Sequence, residues 1–135
     1  MQRLQFFKVF RPPLDLPNGP MIHWGIAVVD QDTGETVVLH NTPEKGEHVD
    51  HWHGFTAGLT SRFEPMPDTP AIRERFRAVV TNPKMYDLLS NNCQHTVTRV
   101  AQGISWSPGL CVLALFVVVG VVIYAANQRS APAMA

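Results

Sequence analysis

Charge is scarce in this chain, and it forms no block of one sign. Charged residues make up 16% of the 135 residues, below the usual share of about 25%. The 11 basic residues balance 11 acidic ones. A surface that binds nucleic acid needs a concentration of lysine and arginine. The even balance therefore argues against nucleic acid as a partner.

Cysteine is also scarce, and the chain starts without a long apolar run. The two cysteines, Cys93 and Cys111, are too few for a disulfide framework. Free thiols fit a reducing compartment. The opening residues, MQRLQFFKVFRPP, contain no apolar core of signal-peptide length.

The one long apolar run lies near the C-terminus. Residues 110–126 carry no charge, and as a helix they would span about 26 Å, close to the ~30 Å hydrocarbon core of a bilayer. No polar stripe is visible. We expect a catalytic domain over residues 1–105, facing the cytosol, a single-pass transmembrane anchor over 108–127 and a short tail over 128–135. A buried core helix or a pair of hydrophobic strands is the alternative.

The rest of the chain divides into β-rich runs followed by two capped helices. We predict strands at residues 4–10, 22–29 and 36–40, the last two joined as a hairpin. Helices are predicted at 70–81 and 93–102, the first with an apolar face of Ile72, Phe76, Val79 and Val80. Residues 41–68 are predicted to be irregular, with one strand near Phe55, and 86–89 to be a short β-like run. The class is α+β.

Cys93 begins the second predicted helix, after Asn91 or Asn92 as its cap. The free N–H groups and the dipole of a helix start favour an anion. This position is expected to lower the pKa of the thiol and to supply N–H groups for an oxyanion. A buried, inert cysteine is the alternative.

A nucleophilic cysteine needs a base, oriented by a third polar group. His23 and His40 lie on the two strands of the predicted hairpin. If Val29 pairs with Thr36, the two histidines share a face as diagonal neighbours. A bulge at Gly34 would place them on opposite faces.

Other polar residues are weaker candidates. His48, His51 and His53 with Asp50 could suggest a metal site, but no second pair at metal-ligand spacing follows, so we expect an exposed polar loop, no metal and no cofactor. His95 is expected to be structural, and Trp24 to lie in the core on the face opposite His23. Four aspartates are expected in solvated or turn-forming loops: Asp15, Asp30, Asp32 and Asp50.

Three segments resemble one known family. HWGIAVV at 23–29, VVLHN at 37–41 and YDLLSNNCQHTV at 86–97 are similar to blocks of the lecithin retinol acyltransferase-like family, which includes small tail-anchored phospholipase A/acyltransferases. FRP at 10–12 also looks like a segment of these enzymes. Gln94 and Thr96 depart from the family block, which has Glu and Phe there.

The resemblance implies a circularly permuted papain-like fold, with an antiparallel sheet packed on the helix that bears the nucleophile. By this likeness Cys93 is the nucleophile, His23 the base and His40 the residue that orients it. We expect a thiol-dependent acyl hydrolase or acyltransferase with a phospholipid or other acyl substrate. A cysteine peptidase or amidase, acting on peptide, isopeptide or peptidoglycan bonds, is the alternative. A non-catalytic binding or membrane-perturbing module that keeps the fold is a third.

Overall fold

An antiparallel sheet of five strands forms the centre of the protein. The computed structural model describes residues 2–14 and 21–130. The strands, in the spatial order β4-β3-β2-β1-β5, are β1 (Leu4–Arg11), β2 (His23–Asp30), β3 (Thr36–Thr42), β4 (Gly46–His51) and β5 (Arg62–Met66). All neighbouring strands are antiparallel. With four helices, this sheet confirms the predicted α+β class.

The helices are α1 (Trp52–Thr56), α2 (Pro70–Thr81), α3 (Cys93–Gln102) and α4 (Pro108–Ser130). The predicted starts of α2 and α3 are confirmed, because short polar side chains satisfy their free N–H groups. Thr69 accepts a hydrogen bond from the Ile72 N–H, and Asn92 accepts from Gln94 and His95. Gly103 ends α3 in the left-handed conformation, with φ of 75°.

The two faces of the sheet are covered unequally. We call one the helix face, because α2 and α3 pack on it around nine buried side chains: Phe6, Ile26, Val28, Leu39, Met66, Ile72, Val79, Val97 and Val100. We call the other the histidine face. Its apolar core contains four buried residues, Val9, Ala27, Val38 and Phe55, and α1 supplies Phe55.

Residues 41–68 are more ordered than the sequence indicates. They form β4, α1 and β5, so the prediction of an irregular segment is wrong, and Phe55 lies in a helix instead of a strand. The predicted β-like run at 86–89 contains only an isolated bridge residue, Asp87, which pairs with Asn91 across a turn at 88–90. In α2, Val80 is 43% exposed, so the apolar face is narrower than predicted.

Helix α4 is long and apolar enough to cross a membrane. The candidate span covers Pro108–Arg129, and none of it is buried against the rest of the protein. Of the described helices, it alone meets this test of length and composition. The predicted segment at 108–127 therefore falls within one continuous helix.

Candidate functional site

The β2–β3 hairpin has the register predicted without a bulge. Val29 pairs with Thr36, and Gly25 pairs with His40. His23 and His40 therefore lie on the same face of the sheet. Gly25 between them leaves little space, because an added Cβ would lie 2.8 Å from Val38 Cγ1 and 3.0 Å from Phe55 Cε2. The small residue thus lets the aromatic ring approach the hairpin.

The two histidines form a hydrogen-bonded chain with an aspartate. His23 Nε2 lies 2.9 Å from His40 Nδ1, and His40 Nε2 lies 2.8 Å from Asp50 Oδ2. An ionised carboxylate only accepts hydrogen bonds, so His40 carries its proton on Nε2. His40 Nδ1 then accepts from His23 Nε2–H. His23 Nδ1 is left as an acceptor, and it has no hydrogen-bond partner within the described ranges.

Asp50 is the functional candidate that the sequence interpretation placed wrongly. It lies on β4 and pairs with Val38, whereas it was expected in a solvated loop. Burial acts to raise the pKa of Asp50, but the hydrogen bond and charge of His40 and the charge of His48 outweigh it and leave the pKa lowered. The carboxylate is therefore ionised at neutral pH. Alternation of His48 and Asp50 along the chain is the signal that could have placed both on one strand face.

Phe55 packs against the two histidines, and Arg11 packs against Phe55. The Phe55 ring is fully buried, with its centroid 5.7 Å from that of His23 and 5.2 Å from that of His40. The Arg11 guanidinium lies 5.0 Å from the same ring centroid. Arg11 is only 5% exposed, and among the described residues its Nε has no hydrogen-bond partner. A buried cation therefore stands beside the site, and sequence reasoning did not assign it a role.

Burial keeps both histidines neutral. It lowers the pKa of His23 to about 3, with smaller contributions from the positive charge of Arg11 and from the neighbouring histidines. It also lowers the pKa of His40 to about 4, although the hydrogen bond to Asp50 opposes the shift. At neutral pH, His23 therefore has an unprotonated Nδ1, and the burial that lowers its pKa also makes it a weak base in this structure.

Cys93 lies where the sequence predicts, at the first position of α3 beyond the cap Asn92. The prediction that this position lowers the pKa of the thiol is wrong, however. Burial raises the pKa of the thiol above its ordinary value and outweighs the backbone N–H groups of Trp24, Gln94 and Cys93 and the charge of Arg11, all of which favour the thiolate. The N–H groups at the helix start favour the thiolate, as predicted, but they lower the pKa of Cys93 by less than burial raises it.

The thiol and the histidine chain approach the start of β2 from different sides. Helix α3 packs on the helix face, whereas the rings of His23 and His40 lie against Phe55 on the histidine face. The Trp24 N–H, on the residue after His23, faces the sulfur. Cys93 and His23 make no hydrogen bond with each other in this structure. The three predicted site residues are thus grouped around one strand end, and only the two histidines are in direct contact.

The remaining candidates have structural positions. His95 Nδ1 accepts a hydrogen bond from the Asn92 N–H and completes a capping box. Trp24 packs on the helix-face core, as predicted. Asp30 accepts from the turn N–H groups of Asp32 and Thr33, which fits the expected turn role. Asp15 lies outside the described residues.

The polar stretch at 47–53 is not an exposed loop, and its histidines separate into two groups. His48 lies on β4, 3.2 Å from Asp50 Oδ2 through Nε2. His51 ends β4, His53 lies in α1, and both are exposed. The grouping suggested by the sequence is therefore wrong, because His48 is grouped with His40 instead of His51 and His53.

A buried polar network fixes α3 against the sheet edge. The Glu47 carboxylate on β4 accepts hydrogen bonds from Thr96 and Arg99 of α3. Asn41 on β3 donates to the Asn91 carbonyl and to Thr96. These contacts hold the start of α3, and with it Cys93, in a fixed position relative to β3 and β4.

Comparison with family models, curated proteins and solved structures finds no match to this chain.

Proposed function

We propose that this protein is a thiol-dependent acyl hydrolase or acyltransferase that acts on lipid esters through an acyl-Cys93 intermediate. The observation that carries the proposal is the Asp50–His40–His23 hydrogen-bonded chain at the strand end beside Cys93. Because the Asp50 carboxylate only accepts hydrogen bonds, each histidine donates toward it, and Nδ1 of His23 is left free to accept a proton. This is the arrangement that a general base requires.

In the proposed reaction, His23 Nδ1 takes the Cys93 proton while the sulfur attacks the ester carbonyl carbon. Because the resting thiol and imidazole are both neutral, proton transfer and attack take place together. The C–O bond to the alcohol then breaks, and His23 returns the proton to the leaving oxygen. Water or an acceptor amine attacks the thioester next, with His23 again taking a proton. The C–S bond breaks, and Cys93 regains its proton.

Several groups are placed to stabilise the oxyanion. The backbone N–H groups of Trp24, Gln94 and Cys93 face the sulfur, and preorganised N–H groups of this kind stabilise developing negative charge. Arg11 adds a buried positive charge close enough to favour the thiolate. On this proposal, Cys93 and His23 come within hydrogen-bond distance when substrate binds, as catalytic hydrogen bonds often do.

The order of the catalytic elements fits a permuted papain-like fold. Papain-like peptidases have the cysteine before the histidine in the chain, whereas here His23 and His40 precede Cys93. The antiparallel sheet and the helix that begins at the cysteine agree with the fold that the family resemblance implies. We propose this fold and membership of the lecithin retinol acyltransferase-like family on these grounds.

Exposed apolar side chains around the site favour a lipid substrate. They lie just before the three elements that meet there: Met21 and Ile22 precede His23, Leu88 and Leu89 precede Cys93, and Ile104 precedes α4. Each is at least 47% exposed. A groove of about 320 Å³, lined in part by Arg11, Met21 and Ile22, runs beside the strand end. Exposed apolar surface beside a functional site is typical of a contact surface, and on this proposal a bilayer would cover these residues.

Helix α4 starts beside the nucleophile. Gln94, the residue after Cys93, accepts hydrogen bonds from Ser107 at 2.5 Å and from the Gly109 N–H at 2.9 Å. If α4 is a single-pass anchor, the thiol lies at the level where the chain enters the membrane. Anchoring also raises the local concentration of a lipid substrate. We propose a cytosolic orientation for the domain, as expected from the sequence.

The test uses the full chain in phosphatidylcholine vesicles. We expect release of fatty acid and a mass increase of one acyl group at Cys93. Cys93→Ala should abolish both, whereas Cys111→Ala, a matched control on α4, should leave both unchanged. Absence of acyl adduct and of lipid hydrolysis would refute the lipid function. Cleavage of peptide or amide substrates without lipid hydrolysis would instead support the peptidase or amidase.

A further inference from the structure

We propose that His40, His48 and Asp50 form a site for a divalent transition metal ion such as Zn²⁺. Their three ligand atoms lie within 4.8 Å of one another, and two of the residues are imidazoles, which zinc favours. The effect of the ion on catalysis rests on the proposed function, whereas the binding of the ion is independent of that function.

His48 is oriented so that its Nε2 could bind a cation together with Asp50. Its Nδ1 lies 2.8 Å from the Gly46 carbonyl oxygen, which can only accept, so Nδ1 carries the proton. In the neutral imidazole, Nε2 then bears a lone pair. This lone pair faces the Asp50 carboxylate at 3.2 Å. Two acceptors at this distance repel each other unless a proton or a metal ion lies between them.

The distances from Asp50 to the two histidines are close to those that zinc requires. Zinc–nitrogen and zinc–oxygen bonds of about 2.0–2.2 Å place tetrahedral ligands about 3.3 Å apart. The Asp50 oxygen lies 2.8 Å from His40 Nε2 and 3.2 Å from His48 Nε2. The His48–Gly46 bond also orients the ring, as partners of metal-bound histidines commonly do.

Solvent can complete the coordination. The side chains of His48 and Asp50 are 18% and 30% exposed, whereas that of His40 is 3% exposed. Water can therefore reach the metal from the β4 side, and the buried His40 connects it to His23. Described titratable or charged groups that face this cluster include Arg11 and His23.

Metal binding would reverse the direction of the hydrogen bond between His23 and His40. A metal on His40 Nε2 displaces the proton there, so His40 must carry a proton on Nδ1 and donate it to His23 Nε2. The proton lost from His40 Nε2 is balanced, through water, by one gained at His23 Nδ1, and the net proton count does not change. His23 Nδ1 then cannot accept the Cys93 proton. The bound ion would inhibit the proposed reaction without touching the thiol.

Calorimetric titration of the tag-free full chain in detergent micelles with ZnCl₂ tests the site directly. We expect one ion per chain. His48→Gln should weaken binding at least tenfold, whereas His51→Gln and His53→Gln, matched controls on the same segment, should not change it. Cys93→Ala should also bind as tightly as the unaltered chain. Unchanged affinity in His48→Gln, or loss of binding in Cys93→Ala, would overturn the site.

The inhibition is tested separately in vesicles. We expect Zn²⁺ to lower the rate of lipid hydrolysis at the concentration that fills the calorimetric site, and a chelator to restore it. In His48→Gln, inhibition should require at least tenfold more metal. Full activity with the site occupied would overturn the inhibitory role. Absence of lipid hydrolysis without metal would refute the proposed function and leave the binding result standing.

Discussion

The two faces of the sheet differ in what their buried side chains do. The helix face, together with α2 and α3 packed on it, buries nine apolar side chains. The histidine face buries four, and beside them lie His40 and the nearly buried Arg11. Apolar burial stabilises a fold in proportion to area, whereas buried polar groups need partners. The helix face therefore carries most of the stability, and the histidine face carries the proposed chemistry.

The largest effect is expected on the helix face, from Phe6→Ala. The side chain is 1% exposed and makes an edge contact with Phe76 at 5.8 Å. Its removal should lower the free energy of unfolding by about 3–5 kcal/mol, measured by urea unfolding in detergent micelles. Phe63→Ala is the control, because that ring is 58% exposed. Equal losses for the two variants would contradict the comparison of faces.

On the histidine face, Asp50→Asn should affect catalysis more than stability. The amide would donate to His40 Nε2, so the proton on His40 would move to Nδ1 and the chain would reverse. We expect kcat for lipid hydrolysis to fall about a hundredfold with KM little changed. Asp32→Asn is the control, because that exposed carboxylate pairs with Arg3. A loss confined to KM would show that Asp50 does not act through His23.

Gly25→Ala tests the space between the hairpin and Phe55. The new methyl group would lie 2.8 Å from Val38 Cγ1 and 3.2 Å from the Leu39 carbonyl oxygen. Overpacking of this kind should cost about 1–3 kcal/mol in the free energy of unfolding, again measured in urea. Gly34→Asn should cost less, because its φ of 77° suits asparagine and its surroundings are open. Comparable costs would mean that Gly25 is not constrained by packing.

The smallest expected effect concerns the pH dependence of Cys93 alkylation. Since burial raises the pKa of the thiol, thiolate forms only above the ordinary cysteine range. The rate of reaction with iodoacetamide should therefore keep rising beyond pH 9, measured by mass spectrometry in a Cys111→Ser background. Arg11→Gln should shift the profile further upward, because a favourable positive charge is lost. A plateau near neutral pH would show a preformed thiolate.

The hairpin and the two capped helices could be predicted because their signals are local. Two registers of the hairpin were open from the sequence, and the structure has the one in which Val29 pairs with Thr36. The cap of α3 was open between Asn91 and Asn92, and the structure has Asn92 there. Strand β4 shows no apolar alternation. Its site-facing side chains, His48 and Asp50, are polar because they belong to the histidine cluster, so apolar periodicity could not reveal the strand.

The pKa of Cys93 and the position of Arg11 could not be predicted for another reason. Both depend on burial by segments distant in sequence, and a helix start favours the thiolate only when the thiol keeps contact with solvent or charge. The hydrogen bond between His23 and His40 lay within reach of sequence reasoning, because register fixes it. The absence of a bond between Cys93 and His23 depends on the tertiary placement of α3.

The short connection between α3 and α4 has a consequence for how substrate would arrive. Residues 103–107 join the two helices, and Ser107, 4% exposed, is bonded to the first turn of α3 through Gln94. These contacts limit the freedom of the domain to move relative to α4. On the proposed function, lipids would reach Cys93 by lateral diffusion within the leaflet that α4 enters. The reaction velocity would then follow the mole fraction of substrate in that leaflet and be insensitive to dilution of the vesicles.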